Sequence, residues 1–174
     1  MLRTVLGIVF AGRSVERLPH SRRHLLISAA VAVAVAYLAH LLYSNLNVPQ
    51  AILRIVCELG GFVIAVRLRE RLRSSGTNVR YRVLKTVSGA FAISILGDAT
   101  LVVIGLVPVE RSLSWLRWGL GAAVYVAQFV GLANCVRYGW SVKWLRALIY
   151  TAGYVLLVTV TFDALRPLFD IFSA

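Results

Sequence analysis

Three residues able to do chemistry stand where the surrounding sequence is almost wholly apolar: Arg54, Glu58 and Asp98. Arg54 and Glu58 are four positions apart, so on a helix they share a face and can pair. A charge near the centre of a bilayer costs a few kcal/mol even on lenient insertion scales, so each of the three requires a partner. Two carboxylates against one guanidinium leave one negative charge uncompensated, and a carboxyl in that position can take up and release a proton. The chemistry on offer is therefore a proton or ion pathway. The competing reading is an interhelical ion-pair network that fixes packing, with Arg54 partly reaching outward. Gln128 and Asn134 are neutral polar residues within apolar runs, while His40 and Asp163 lie near the ends of such runs. With no strained serine beside it, His40 reads as a packing or interfacial histidine.

Catalytic constellations are missing. There is no Gly-x-Ser-x-Gly, no His-Glu-x-x-His and no phosphate-cradling glycine loop. Leu96-Gly97-Asp98 resembles the last three positions of the Gly-x-Gly-Asp motif of intramembrane aspartyl proteases, but Ile95 replaces the first glycine and no second mid-depth aspartate is available. Cys57 and Cys135 fall inside apolar spans, which supports neither a disulfide framework nor a paired-cysteine zinc site. No catalytic residue, metal or cofactor is expected, and the chain is not expected to be an enzyme.

The elements that must position Arg54, Glu58 and Asp98 follow from hydropathy. Of the 174 residues, 59% are hydrophobic, above the share of about half found in soluble domains, and the mean hydropathy is +0.79. Apolar stretches fall at about 24–43, 48–66, 84–107, 113–136 and 142–165, each near the ~20 residues that a helix needs to cross ~30 Å of hydrocarbon. The fold class expected is all-α: a polytopic integral membrane protein, a bundle of five transmembrane helices. Residues 1–12 are apolar at helical spacing (Leu2, Val5, Leu6, Val9) but too short to span, and predict an interfacial helix before the bundle. The alternation of alanine and valine from Ala30 to Ala36 is overruled by length, because an open strand leaves its backbone unsatisfied in lipid. Ser28, Ala32, Ala36 and His40 form a small, polar-ended stripe on span one, and Ala123, Ala127, Gly131 and Cys135 a second on span four; both predict helix-packing faces. Asn47 is placed to cap span two, with Pro49 in its first turn.

Charge sets the orientation. The net charge is +12, from 19 Lys plus Arg against 7 Asp plus Glu. Fifteen of these basic residues fall on one side: Arg3, Arg13, Arg17, Arg22, Arg23, Arg67, Arg69, Arg71, Arg73, Arg80, Arg82, Lys85, Arg137, Lys143 and Arg146. Arg111, Arg117 and Arg166 fall on the other. By the positive-inside rule the N-terminus is cytoplasmic and the C-terminus outside, as in a bacterial inner membrane. Trp115 and Trp118 would mark the outer end of span four, Trp140 and Trp144 the inner start of span five. The run of Arg67, Arg69, Arg71, Arg73, Arg80, Arg82 and Lys85, with a turn at 74–78, predicts contact with anionic lipid headgroups or an acidic protein partner. Nucleic acid is not expected. Counted from the outer boundary, Arg54 lies about 9 Å deep, Glu58 about 15 Å and Asp98 about 14 Å. Spans two and three are antiparallel, so these side chains can meet.

A short N-terminal helix, five spans, an N-in and C-out orientation and a basic loop after span two resemble the Yip (Ypt-interacting protein) superfamily in its bacterial form. Ser14-Val15-Glu16-Arg17-Leu18, Tyr81-Arg82-Val83-Leu84-Lys85 and Lys143-Trp144-Leu145-Arg146-Ala147-Leu148 carry the local texture of that resemblance. The Asp-Leu-Tyr-Gly-Pro signature of its eukaryotic members is absent, and with it any basis for a Rab-GTPase partner. The resemblance implies a membrane-organising or trafficking protein with no catalytic residues to carry over. The expectation is a non-enzymatic scaffold or assembly protein, a homo-oligomer or the partner of another membrane protein. The alternative is a proton- or ion-linked transporter or channel subunit using Arg54, Glu58 and Asp98.

Overall fold

The computed structural model describes residues 22–73, 79–108 and 114–170, all helical apart from short connections and with no strand among them. The interfacial helix expected over residues 1–12 and the turn at 74–78 lie outside the described residues, as do Arg3, Arg13, Arg17 and Arg111. The elements are α1 (Arg22–Leu42), α2 (Val48–Ile55), a π-helical turn (Val56–Gly60), α3 (Gly61–Arg73), α4 (Val79–Leu106), α5 (Ser114–Trp140) and α6 (Trp144–Asp170). Four helices are long and apolar enough to cross a membrane: α1, α4, α5 and α6.

The expected second span is not one regular helix. Its α-helical path is interrupted at Val56–Gly60 by a π turn, just before the pair Gly60-Gly61. Two successive glycines weaken local helix preference, and a widened turn of this kind is tolerated where side-chain contacts hold it. Upstream the start of α2 follows from sequence alone. The Asn47 side chain accepts from the Gln50 N–H at 2.9 Å, and Gln50 accepts from the Asn47 N–H at 3.3 Å. That reciprocal pair is a capping box, with Pro49 in the first turn.

Other boundaries shift from their sequence estimates. Helix α6 runs through Pro167 to Asp170 instead of stopping at residue 165; the proline removes the single i→i−4 bond of its own N–H, a loss that membrane helices accommodate. Between α5 and α6, Ser141 takes a left-handed φ of 51° and the Val142 N–H donates to the Arg137 carbonyl at 3.1 Å. This is the six-to-one closure of a Schellman ending, with serine where glycine is usual. Asn45, at φ 52°, turns the chain between α1 and α2, and asparagine tolerates that conformation.

The bundle is organised around α4, which packs on α1 along one side and on α5 along another, with α6 against α5 and α2. The core joins Ala32, Phe62, Val66, Val87, Ala90, Phe91, Val136, Trp140 and Ala147. Ala32, Ala36 and Ala39 are buried, which lets α1 approach closely. On α5 the small-residue stripe divides: Gly131 and Cys135 are buried, Ala127 is half-buried and Ala123 is exposed. Within this chain the stripe packs only over its C-terminal half; further toward its N-terminus α5 faces its neighbours with Gly121, Val124 and Gln128 instead. Arg117 reaches from α5 to α1, donating through Nη2 to the Leu42 carbonyl at 3.0 Å and covering the Tyr43 ring. A carbonyl that the helix end leaves unpaired is thereby satisfied.

Candidate functional site

The widened turn positions the central residue. Arg54 Nε donates to Glu58 Oε1 at 2.5 Å, one helical turn away. The other carboxylate oxygen, Oε2, stands 3.1 Å from His40 Nε2 on α1. Glu58 is thus clamped between two helices, and its main-chain carbonyl accepts from the Tyr154 hydroxyl of α6. A π turn spreads its backbone carbonyls, so a hydroxyl on a neighbouring helix can take one of them. The Arg54 guanidinium completes its surroundings on the Phe162 ring, 4.9 Å from the centroid, a contact favourable in a dry environment. The side chains of Arg54 and Glu58 are about three-quarters buried and that of His40 more fully.

Asp98 is buried on α4. Its partner is Gln128 of α5, whose Nε2 donates to Oδ1 at 2.9 Å. That reach depends on Gly97, since a methyl group there would collide with the Gln128 side chain. Spacing alone allowed Asp98 to join Arg54 and Glu58; the structure puts all three on one cavity but directs the hydrogen bond of Asp98 to a neutral amide. The cavity measures about 180 Å³ and is lined by His40, Arg54, Glu58, Asp98, Gln128 and Tyr154 together with aromatic and aliphatic side chains.

His40, which the sequence presents as a packing or interfacial residue, is buried and is a direct partner of Glu58. Its place on the stripe with Ala32 and Ala36 was the available signal, since that stripe faces α4 and the polar cluster. Gln128 was visible as a polar residue in an apolar run, but which face of α5 carried it was not. Tyr154 and Phe162 gave no signal, because aromatic residues are common throughout such spans.

The basic run is less uniform than its sequence suggests. Arg67 is exposed, Arg82 is half-buried and Lys85 is buried. Arg69 is half-buried, its guanidinium over Trp140 at 5.2 Å and Tyr150 at 5.5 Å. Two aromatic faces offer the cation a packed position. Trp140, expected at the membrane boundary, is buried in the core cluster. The side chains of Arg71, Arg73 and Arg80 lie outside the described residues. No group of three His, Cys, Asp or Glu among the described residues could hold a metal ion.

Comparison of the chain with protein-family models, with characterised proteins and with solved structures finds no match. The site is therefore read from its own chemistry.

Proposed function

We propose that the chain is a non-enzymatic five-span membrane protein whose working site is the ionisable cavity, and that it serves as a proton-linked transporter or channel subunit. One observation carries this reading. Helices α1, α2, α4, α5 and α6 and the π turn each supply a polar side chain to a single cavity of about 180 Å³. Protein interiors close-pack to few voids larger than a water molecule. A polar network that served only to hold helices together would fill its space, whereas a cavity of this size with polar groups contributed from several helices among its apolar walls has partners for water. Water between Glu58, His40 and Asp98 would connect groups that exchange protons. In vesicles carrying an imposed pH gradient, the purified protein is expected to speed dissipation of that gradient. A rate equal to that of protein-free vesicles would remove the reading.

The five-span topology belongs to the same proposal. Val48–Arg73 is a continuous helical path of 26 residues, about 39 Å long at 1.5 Å per residue and enough to cross with its basic end in water. The distribution of basic residues then puts the N-terminus in the cytoplasm. A reporter active only outside the cytoplasm is expected to be active when fused after Ala174 and silent when inserted near Gly76. The reverse pattern, or equal activity at both sites, would contradict five spans with a cytoplasmic N-terminus. The resemblance to the Yip superfamily rests on this order of segments more than on its three short stretches of local texture.

A second reading, assembly with another copy or another membrane protein, is favoured by one feature of α5. Gly119 and Ala123 are both exposed, four residues apart, and a side chain at Gly119 would meet nothing within 4 Å. Small residues at this spacing let two membrane helices approach closely. Cysteine introduced as Ala123→Cys is expected to cross-link between copies in native membranes. The same change at exposed Leu156, on α6, is expected not to cross-link. Equal yields at both positions would leave α5 with no special role in assembly.

A further inference from the structure

The ionisable cavity has a second chemical character. Besides Asp98 its walls carry Phe62, Phe91, Tyr125, Phe129 and Tyr154. Aromatic rings present negative faces, and a cation set over them is attracted without needing to keep its water shell. Charges within the cavity do not cancel. Arg54 is matched by Glu58 at 2.5 Å and covered by Phe162, and among the described residues the carboxylate of Asp98 has no ion-pair partner. Gln128 satisfies Oδ1 of that carboxylate, and among the described residues no hydrogen bond is made to Oδ2.

From these features we infer that the cavity binds a small organic cation, an alkylammonium group, with Asp98 as counter-ion and the aromatic rings as its walls. The inference deepens the proposed function and rests on it, naming the solute that proton movement would accompany. A metal ion fits poorly. Hard cations require six or more oxygen ligands or retained waters, and the walls are mainly aromatic and aliphatic. Size agrees as well. At about 180 Å³ the cavity is slightly larger than the ~150 Å³ that accommodates benzene in an engineered protein cavity, which suits tetramethylammonium or choline.

The test uses the full chain in nanodiscs of phosphatidylglycerol, a lipid without an ammonium group, with radiolabelled choline as the probe. Choline is expected to bind and to be displaced by tetramethylammonium, whereas its neutral isostere 3,3-dimethylbutan-1-ol competes about 30-fold more weakly, the factor for a desolvated cation–π contact. Asp98→Asn is expected to weaken choline binding about tenfold or more by removing the counter-ion. The isostere comparison needs no variant, so it holds even if Asp98→Asn folds poorly. Phe129→Leu, which keeps the wall apolar, is expected to weaken choline while leaving the isostere unchanged. Dihexanoylphosphatidylcholine competing better than choline would identify the cation as a lipid headgroup; choline competing better would identify a free amine. Both outcomes keep the site. Choline binding without dissipation of a pH gradient would remove the transport reading and leave the cation site. Failure of choline to bind, equal competition by the isostere, or full binding by folded Asp98→Asn would overturn the inference.

Discussion

Replacing Arg54 with leucine is expected to lower the stability of the bundle by about 3 kcal/mol, measured by unfolding in mixed micelles titrated with a denaturing detergent. The loss comes less from the missing bond than from what is left behind. Glu58 keeps only His40 at 3.1 Å as a side-chain partner, in a site three-quarters removed from its surroundings. Removing one member of a buried ion pair strands the other, at a cost of roughly 3–5 kcal/mol. The partial exposure of both side chains places this case at the lower end. Adding Glu58→Gln to Arg54→Leu is expected to restore most of the loss, because the amide still meets His40 and carries no charge. Asp98→Asn, by contrast, is expected to add to Arg54→Leu with little coupling, since its hydrogen bond runs to Gln128. Rescue by Asp98→Asn in place of Glu58→Gln would make Asp98 the partner of Arg54.

This asymmetry also marks how far the sequence was informative. The i, i+4 spacing of Arg54 and Glu58 was enough to pair them, and counting residues from the span ends was enough to bring Asp98 to the same depth. Neither operation says which face of a helix is turned inward when nearly every face is apolar, and that rotation decides the rest. It separates Asp98 from Arg54, hands it to Gln128 across the gap left by Gly97, and turns His40 into the site. The capping box at Asn47 and Gln50 was legible because it is local. The π turn was not; one of its carbonyls, that of Glu58, is taken by Tyr154, almost a hundred residues away. Arg69 shows the same limit. A count of basic residues places it on a charged face, but only the tertiary approach of Trp140 and Tyr150 shows that it is stacked within the bundle.

The largest functional effect is expected at the carboxylates. Asp98→Asn keeps the shape and the oxygen that accepts from Gln128, so its folded abundance should stay close to that of the unaltered protein. Glu58→Gln leaves the Arg54 charge without its carboxylate and should lower stability, which is why rates are compared at equal amounts of folded protein. Each removes a group that can carry a proton in exchange with water. If proton passage depends on both, either change is expected to slow it about tenfold or more, a barrier increase of about 1.4 kcal/mol or greater. A packing network predicts the opposite pattern, in which amides replace ion pairs with little functional consequence.

The most direct measurement is the initial rate of pH-gradient dissipation in vesicles holding equal amounts of folded unaltered protein, Glu58→Gln and Asp98→Asn. The account predicts a rate well above protein-free vesicles for the unaltered protein and a fall to that background for both variants. Three equal rates, at background or above it, would contradict the cavity as a proton-handling site and leave the cluster of Arg54, Glu58 and His40 as a packing device.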